Sequence, residues 1–553
     1  MRTSPAVPNR HRLVALVALG CVALGSAGGL TAGLTAWQTG EPDGSGHALS
    51  PEQVNRLAVM RLTNHRDARA GLRATLGSVD APIRLAGWVD WGRGLTYLAY
   101  RDAGSGARGL LQATPGVLAT RATAEPAPPG TPPSGTPPAG VPAAGAPAAG
   151  TPPPGTPEAV GFDRPPATPP ARDWRIRRLA PGGADPDPLD AFLGLLFALS
   201  AERPDPPEPT TGPARWLGQG RVADATVDVL LGPLRPAATA AGTGPTGIPA
   251  ATPASARAGG TPTRAGARAG GTGGGLVRYW VDPAGRLHRL EAVLHGDMPL
   301  RLDLDRTDRR ELTAVDALGG RPVRPRAVTD AEAERIAAMG GRNRARRGAE
   351  IALAVPTVRP GTTPGTAPEA GTPVANLRAE GWVDWRRGVA YLGVRDLAEP
   401  GVGTLLHADR DGVAARGPSG AGLAAGPPPL PPPDDGWAYG PWRQRADALG
   451  APDLDLLLSE VLAAGVPAGE TSERLRERAG WLRQDTLDGR AVTVFEVAKP
   501  AEAGTPRGQA RVRYWLDGSG LLRRLELRTR TGAFAQLDLA PGPVPYLPPV
   551  SVS

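Results

Sequence analysis

Two residue patterns occur twice, in the same order, along this chain of 553 residues. Residues 87–98 (GWVDWGRGLTYL) return as 381–392 (GWVDWRRGVAYL), and 277–282 (VRYWVD) return as 512–517 (VRYWLD). Three shorter matches keep the same order: Pro186-Asp187 with Pro452-Asp453, Trp216-Leu217 with Trp481-Leu482, and Leu302-Asp303-Leu304 with Leu537-Asp538-Leu539. Ordered self-similarity of this kind indicates that one structural unit is duplicated. We therefore predict two tandem repeats, at 49–314 and 325–541.

The spacing between matched motifs differs at a few equivalent gaps, and these gaps are rich in Pro and Gly. Gly (75) and Pro (64) make up about a quarter of the chain, a share typical of sequences with low-complexity segments. Such segments cannot bury enough apolar surface to offset their conformational entropy. We expect disordered inserts at 124–171, 236–275, 356–376 and 417–436, and a Pro-rich tail at 542–553.

Each repeat begins with the signal for a helix and continues with signals for hairpins. Ser50 with Gln53, and Thr329 with Glu332, form capping boxes ahead of apolar residues at helical spacing. The later strands alternate between apolar and charged residues, which is typical of an antiparallel sheet that is covered on one face. The predicted fold class is α+β, with each repeat a curved antiparallel sheet, or half-barrel, packed on helices.

One helix in each repeat is predicted to be apolar on all sides. Residues 189–199 and 454–462 are dominated by Leu and Phe, and each segment follows a Pro next to an Asp. A helix that is hydrophobic all round is normally buried. We expect this helix to lie against the apolar face of the sheet.

The N-terminus determines the expected compartment. Residues 1–12 are basic, and residues 13–37 contain no charged side chain over a length that can cross a bilayer. Acidic residues follow, so the positive-inside rule places the body outside the cytoplasm. A signal anchor, a cleaved signal peptide and lipidation at Cys21 all remain open, and all three export the body. We expect a single-pass protein of the cell membrane with an extracytoplasmic C-terminal body.

The sequence contains little that points to catalysis. The single Cys excludes an intramolecular disulfide and a multi-cysteine metal site, and the six His residues are dispersed. Although the net charge is +8, the Arg residues are scattered among 54 acidic residues, so a nucleic-acid partner is not expected. Asp90 and Asp384 are interpreted as structural carboxylates at a turn. We predict no enzyme, no cofactor and no metal.

The motifs of both repeats resemble those of LolA-like and LppX/LprG-type envelope lipoproteins. In particular, 280–285 (WVDPAG) and 515–520 (WLDGSG) are similar to the late-strand signature of the actinobacterial members. The resemblance implies a half-barrel around a hydrophobic pocket for acyl chains. It implies a membrane-anchored protein that binds a lipid or another hydrophobic ligand. The regulatory RseB-like proteins resemble the same half-barrel, so a non-catalytic envelope interaction module with a dry core remains the alternative, with an envelope protein as its partner.

Aromatic and Leu residues that recur in both repeats are the candidates for lining such a pocket. Packing in an ordinary core is the competing interpretation, because Trp and Tyr also pack well on pleated sheets. The candidates are Trp88, Tyr97, Phe192, Leu196, Trp280, Trp382, Tyr391, Leu454, Leu457 and Trp515.

Overall fold

The computed structural model describes most of both repeats. The described residues are 46–123, 164–181, 186–206, 214–233, 276–358, 374–417, 426–442, 452–467, 469, 471–499, 502 and 504–551. The predicted membrane segment at 13–37 and the predicted insert at 236–275 lie outside these residues. Among the described helices, none is both long and apolar enough to cross a membrane.

The first repeat forms one sheet of twelve strands in which every neighbouring pair is antiparallel. Its strands are β1 (His47–Ala48), β2 (Arg69–Leu76), β3 (Ile83–Asp90), β4 (Leu95–Asp102), β5 (Arg108–Thr114), β6 (Val117–Ala122), β7 (Arg175–Arg178), β8 (Arg215–Val222), β9 (Ala225–Pro233), β10 (Leu276–Val281), β11 (Leu287–Leu294) and β12 (Met298–Asp305). The spatial order is β1-β8-β9-β10-β11-β12-β2-β3-β4-β5-β6-β7. The last strand, β12, therefore lies in the middle of the sheet, beside β2.

The second repeat forms a second sheet of twelve strands with the same order. Its strands are β13 (Arg326–Ala327), β14 (Gly348–Val358), β15 (Val374–Asp384), β16 (Val389–Asp396), β17 (Glu399–Ala408), β18 (Gly412–Arg416), β19 (Ala438–Pro441), β20 (Ala479–Leu487), β21 (Arg490–Val497), β22 (Val512–Asp517), β23 (Leu522–Arg528) and β24 (Phe534–Gly542). The identical strand order gives the α+β fold class and two tandem units, as the sequence predicts.

Five α-helices belong to the described residues: α1 (Pro51–Asp67), α2 (Pro188–Ala198), α3 (Asp330–Ala345), α4 (Pro452–Ala463) and α5 (Ser472–Arg478). Both predicted capping boxes are present, because Ser50 and Thr329 accept from the third helical amide while Gln53 and Glu332 reach back to the cap. The two helices that were predicted to be apolar on all sides are α2 and α4; both are rich in Leu, and both also carry acidic residues, among them Asp190 and Glu460. They are called the inner helices below.

Each inner helix lies on one face of its sheet, here called the helix face. In the first repeat, Phe192 and Leu196 are fully buried in one cluster with sheet residues such as Leu98. In the second repeat, Leu454 and Leu457 are fully buried in the corresponding cluster. At about 1.5–3 kcal/mol for each large apolar side chain, these two clusters supply the main stabilisation of the fold.

The glycine of the repeated GWVDW motif is required by the close approach of two strands. A Cβ at Gly381 would lie less than 3.0 Å from the carbonyl oxygen of Tyr391 on β16, and one at Gly87 would meet the carbonyl of Tyr97 on β4. Gly87 also has a φ of +155°, which side-chain-bearing residues rarely adopt. The motif therefore recurs for a steric reason.

The opposite, outer face of each sheet is covered as well. Two segments outside the sheets do this: the first strap (308–325), which follows β12 and contains a short 3-10 helix at Asp316–Leu318, and the second strap (543–551), which follows β24. Leu312 and Val315 of the first strap pack on β3–β6, while Leu547 of the second strap packs with Tyr391. Both faces of each sheet are thus buried over part of their area.

The ends of two predicted inserts belong to the described residues. Residues 164–171, at the end of the insert predicted at 124–171, and residues 426–436, at the end of the one predicted at 417–436, are described. Pro165 and Pro428 are buried, and the indoles of Trp174 and Trp437 donate to carbonyls four residues earlier. Pro limits the freedom of the unfolded chain, so fewer contacts suffice to order these segments. The ends of the insert predicted at 356–376 also belong to strands β14 and β15.

The first strap also ties the two repeats together. Gln112 of the first sheet donates to Thr313 and accepts from Val315, while Asp316 pairs with Arg524 of the second sheet. Arg483 donates to the carbonyl of Arg321, 3.0 Å away. Strand β7 contributes a separate contact, because the side chain of Asn376 bonds both the amide and the carbonyl of Ile176.

Candidate functional site

The interface between an inner helix and its sheet is the candidate site for an apolar ligand. It is lined by the Leu and Phe residues that the periodicity of α2 and α4 brings against the sheet. Phe192, Leu193 and Leu196 have no exposed surface, and the same holds for Leu454, Leu457 and Leu458. In the structure, this space is filled by the helix itself.

The C-terminal end of each inner helix is held by an indole and a carboxamide. In the first repeat, Trp91 Nε1 donates to the carbonyl of Leu196 at 3.0 Å, and Asn64 Nδ2 donates to the carbonyl of Leu199 at 2.7 Å. The last carbonyls of a helix have no partner within the helix, so these donors satisfy them.

The same pair of donors recurs in the second repeat. Trp385 Nε1 donates to the carbonyl of Val461, and Asn343 Nδ2 donates to that of Ala464, both at 2.9 Å. The sequence interpretation did not assign these roles to the two Trp or the two Asn residues. Two features of the sequence could have indicated these roles. They are the second Trp of each GWVDW motif and the Asn near the C-terminal end of the first helix in each repeat.

The two inner helices differ in a further contact of their last turn. In the second repeat, Glu460 accepts from Tyr514 Oη at 3.0 Å and pairs with Lys499 at 2.6 Å. Trp91 donates to the carbonyl of Leu196 on α2, and Trp385 donates to the carbonyl of Val461 on α4. The residue before each carbonyl is Leu195 in the first repeat and Glu460 in the second, so these two positions are equivalent. Tyr279, which matches Tyr514, instead donates to the carbonyl of Pro233. We call the contacts of Glu460 the Glu460 clamp.

Polar contacts near the N-terminal ends involve buried carboxylates. Asp190 of α2 accepts from Arg177 at 2.7 Å and from the amide of Ala180 at 2.9 Å. Asp453 of α4 accepts from Arg511 at 2.6 Å. Both inner helices are thus fixed at each end, but only α4 has the Glu460 clamp.

The structure separates the ten predicted pocket residues into two groups. Phe192, Leu196, Leu454 and Leu457 lie together on the helix faces. The other six lie away from them, on outer faces: Trp88 and Tyr97 under the first strap, Tyr391 and Trp382 beside the second, Trp515 in a small cluster with Leu482, and Trp280 between two Arg side chains. Successive side chains of a strand point to opposite faces of the sheet. Because Trp280 and Trp515 each stand between two residues of the inner clusters, their own side chains lie on the outer face.

Each outer cluster contains a buried Tyr residue whose hydroxyl has a raised pKa. Burial raises the pKa of Tyr97 and of Tyr391 to about 12, against a smaller opposing effect of Arg121 and Arg416. Both hydroxyls therefore stay neutral at physiological pH. Both rings contribute packing and no charge, and the hydroxyl of Tyr391 also donates to the carbonyl of Pro429 at 3.0 Å, whereas that of Tyr97 has no partner among the described residues.

A group of buried charges lies under the first strap, on the outer face of the second sheet. Arg513 and Glu526 are 3.7 Å apart, with 4 % and 0 % of their surface exposed. Burial lowers the pKa of Arg513 to about 10 and raises the pKa of Glu526. Since Arg513 and Arg483 also donate to the carbonyl of Gly319, this group positions the strap.

The Asp residues of the GWVDW motifs have structural contacts, as the sequence predicts. Asp90 accepts from the amide of Arg93 and from Arg69 Nε, and Asp384 accepts from the amides of Arg386 and Arg387. Each carboxylate thereby fixes the turn after its strand. Within the described residues, no group of His, Cys, Asp and Glu is placed to hold a metal ion.

Two cavities lie on the outer face of the second repeat. One, of about 250 Å³, is bounded by Val394, Arg395 and residues 426–429. The other, of about 430 Å³, is bounded by Trp382, Glu350, Pro427, Ala540 and neighbouring residues. Neither lies between an inner helix and its sheet.

His407 lies in the outer cluster of the second repeat, where the first repeat has Gln112. Each pairs with the recurrent Tyr on the neighbouring strand. His407 Nε2 contacts the carbonyl of Pro548 in the second strap at 3.1 Å, and Asp409 and Arg416 are the nearby charged groups. Burial lowers the pKa of His407, despite the opposing effects of that hydrogen bond and of Asp409.

Acid should therefore weaken the packing of the second strap. Because the pKa of His407 is lower in the folded than in the unfolded chain, the unfolded chain binds more protons once the pH falls below about 6.5. The stability that neutral His407 contributes is present above that pH and is lost as the pH falls towards the lowered value. We expect His407→Gln, which places the residue of the first repeat there, to reduce the loss of stability between about pH 7.5 and pH 5 in urea unfolding. An identical pH dependence of the two proteins would contradict this assignment.

No family model matches the chain, and no curated protein matches it. Parts of the chain are similar to solved structures. Lipoprotein LppX from Mycobacterium tuberculosis is 15% identical, with 39% of this chain and 99% of LppX covered and a TM-score of 0.21. LprF from Mycobacterium bovis is 11% identical, with 41% and 100% covered and a TM-score of 0.23. A LolA superfamily protein from Nitrosomonas europaea is 11% identical, with 40% and 96% covered and a TM-score of 0.19. LppX and the LolA superfamily are also the groups that the sequence motifs resemble.

Proposed function

We propose that the protein binds a long-chain hydrophobic ligand, such as a lipid with acyl chains, on the helix face of the first repeat. The observation that carries this proposal is the inner helix α2, whose large side chains are apolar on every side. Leu189 and Phe197 are only partly buried, while Phe192 and Leu196 fill the space against the sheet. An acyl chain can replace the contacts of such a helix chemically, because both surfaces are hydrocarbon.

The energetic balance favours long chains. Moving α2 off the sheet exposes Phe192, Leu193, Leu195 and Leu196, which costs about 6–12 kcal/mol at 1.5–3 kcal/mol each. Burying a methylene group contributes about 0.8 kcal/mol, so a chain of about 8 carbons gives roughly 6 kcal/mol and one of about 16 carbons gives roughly 12 kcal/mol. Only the longer chain can offset the displacement of the helix and the entropy lost on association.

The second repeat is proposed to be closed to such a ligand. The Glu460 clamp connects the last turn of α4 to Tyr514 and Lys499, and moving α4 would break both contacts. A carboxylate with 15 % of its side chain exposed would then have to find new partners. We therefore expect one ligand per chain.

A titration of the body of the protein, residues 46–551, with saturated fatty acids of increasing length tests this proposal. We expect binding to strengthen steeply between about 8 and 16 carbons and to saturate at one ligand per chain. Glu460→Leu, which places a Leu where the first repeat has Leu195, should raise the stoichiometry towards two. Glu473→Leu, at an exposed position of α5, is the matched control and should leave it at one.

The absence of binding at every chain length would overturn the proposal. Binding that does not depend on chain length, or a stoichiometry that Glu460→Leu leaves unchanged, would contradict its mechanism. Thermal unfolding of each variant shows whether the protein is folded before the titration is interpreted.

A second candidate function is a non-catalytic interaction module of the RseB-like kind, with an envelope protein as its partner. The observation that favours it is the complete burial of the inner residues, since Phe192 and Leu457 have no exposed surface. In that case, the inner helices are permanent parts of a dry core. Failure of every fatty acid to bind, with the fold intact, would favour this candidate.

We also propose that residues 13–37 anchor the protein in the cell membrane with its body outside the cytoplasm. The uncharged stretch of 25 residues and the basic segment before it support this topology. Protease treatment of intact cells should digest the body, and Cys21→Ala should leave the protein in the membrane fraction if the anchor is the helix itself. Protection of the body from protease would contradict the proposed orientation.

A further inference from the structure

The first Trp of the GWVDW motif has different surroundings in the two repeats. In the first repeat, the guanidinium groups of Arg164 and Arg310 lie 5.7 Å and 4.7 Å from the centre of the Trp88 ring. The indole of Trp88 donates to Asp308 at 2.7 Å, and Arg164 pairs with both Asp308 and Asp305. Trp88 is thus the aromatic wall of a site that the chain fills with its own cations.

The equivalent positions of the second repeat follow from contacts that are duplicated. Trp174 and Trp437 each donate to a carbonyl four residues earlier, which aligns the segments that end at these residues. Leu312 and Leu547 occupy corresponding outer clusters, which aligns the two straps. By this alignment, Arg164 corresponds to Pro427, Asp305 to Ala540, Asp308 to Pro543, and Arg310 to Pro545.

A further pair of contacts supports the alignment of the straps. In the first repeat, Arg93 pairs with Glu311 of the strap. In the second, Arg387, which corresponds to Arg93 in the repeated motif, lies 4.5 Å from the ring centre of Tyr546. Glu311 and Tyr546 each stand one residue before the buried Leu of their strap.

The second repeat therefore keeps the Trp but lacks every charged group that surrounds it in the first. A cavity of about 430 Å³ occupies this place, bounded by Trp382, Pro427 and Ala540. Trp382 is half-buried, whereas Trp88 is 4 % exposed. Within the described residues, the indole N–H of Trp382 has no hydrogen-bond partner.

Carboxylates reach the cavity from a different strand. Glu350 of β14 stands directly opposite Trp382 in the sheet, where the first repeat has Gly71 opposite Trp88. A Cβ at Gly71 would lie 3.1 Å from the Asp308 side chain. The carboxylate at this place is therefore supplied by Asp308 of the strap in the first repeat and by Glu350 of β14 in the second. Glu380 and Asp538 also border the cavity.

The Arg residues that line the cavity already form ion pairs with a carboxylate of the same sheet. Arg490 and Arg523 both contact Asp517, at 3.9 Å and 2.7 Å. Outside the lining, Arg524 pairs with Asp538 at 2.5 Å, and Arg395 lies 4.0 Å from Glu380. Glu350 is exposed and has no ion pair with another described residue, which leaves it available to an incoming cation.

We propose that the cavity at Trp382 binds the guanidinium group of an arginine that a separate molecule supplies. A guanidinium group is proposed as the ligand because two guanidinium groups lie over the equivalent ring of the first repeat, Trp88, beside carboxylates. A planar guanidinium can stack on Trp382 and donate to Glu350 at the same time. The proposal concerns the outer face of the second repeat and is independent of ligand binding on the helix face of the first.

N-acetyl-arginine amide is the probe, with the uncharged N-acetyl-citrulline amide as its matched control. Ligand-observed NMR with the full-length protein should show millimolar binding of the arginine compound and about tenfold weaker binding of the citrulline compound. Trp382→Leu and Glu350→Gln should each weaken binding of the arginine compound by a similar factor. Trp280→Leu, at another Trp of an outer face, should have no effect.

Filling the cavity from within provides a second, independent variant. Pro545→Arg places an arginine at the position of Arg310 and should block the probe while leaving thermal stability equal or higher. If guanidinium chloride binds as tightly as the arginine compound, the natural source is a small guanidinium compound. If an arginine-containing peptide binds more tightly than either, the source is a protein segment. The proposal is overturned if the arginine and citrulline compounds bind equally, if neither binds, or if Trp382→Leu leaves binding unchanged.

Discussion

Gly381→Ala is expected to destabilise the second repeat by about 3 kcal/mol or more, since its Cβ would meet backbone and no flexible side chain can move aside. The added Cβ would lie less than 3.0 Å from the carbonyl oxygen of Tyr391 and from the Cα of Leu392 on the next strand. Strands β15 and β16 would have to separate at the centre of their pairing, where Gly381 stands opposite Leu392. Urea unfolding of the body at 46–551 measures the effect.

Gly401→Ala is the matched control for this prediction. Gly401 lies on β17 of the same sheet, and a Cβ there would meet nothing within 4 Å. We expect its effect to stay within about 0.5 kcal/mol. Equal stability of the Gly381 and Gly401 variants would contradict the close approach of β15 and β16.

Phe192→Ala is expected to destabilise the first repeat by about 3–5 kcal/mol, because the ring of Phe192 is fully buried between α2 and the sheet. The loss combines the apolar contacts of the ring with the cavity that remains after its removal. The same substitution at Phe197, which is partly buried on the same helix, should cost clearly less. Urea unfolding of both variants gives the comparison.

The Phe192 variant also bears on the proposed function. If an acyl chain occupies the helix face, a 16-carbon fatty acid should fill the space left by the ring and restore more stability to Phe192→Ala than to the unchanged protein. No stabilisation of either protein by the fatty acid would favour the dry core of the alternative function. Similar losses at Phe192 and Phe197 would contradict the position of α2.

Local patterns in the sequence predicted much of the fold. The capping boxes at Ser50 and Thr329 and the hairpin turns after Asp90 and Asp384 depend on neighbouring residues, so they could be recognised without tertiary information. The duplication then predicted that both halves share one topology. The buried inner helices were predicted from their uniform apolarity.

The outer faces could not be predicted in the same way. Trp88 and Trp382 were candidates for a ligand pocket beside the inner helix, yet both lie on outer faces, under or beside segments that are distant in the sequence, and Trp382 borders a cavity there. Strand alternation alone could have separated Trp280 from Tyr279, but alternation does not reveal which face a strap will cover. Composition likewise does not show that Pro165 and Pro428, at the ends of two Pro-rich segments, are buried.

The structural difference on which the proposed one-ligand stoichiometry depends was also hidden in the sequence. Leu195 and Glu460 are equivalent only once the contacts of Trp91 and Trp385 align the two inner helices. No motif marks either residue. The Glu460 clamp depends on Tyr514, which lies on β22, and on Lys499, which follows the end of β21.

Hydrogen exchange of the two inner helices, measured by mass spectrometry with and without a 16-carbon fatty acid, tests the central claim most directly. If the ligand displaces α2, peptides covering 189–199 should exchange faster in its presence, while peptides covering 454–462 should be unchanged. Unchanged exchange at 189–199 under saturating fatty acid, or an equal change in both helices, would contradict a ligand site on the helix face of the first repeat.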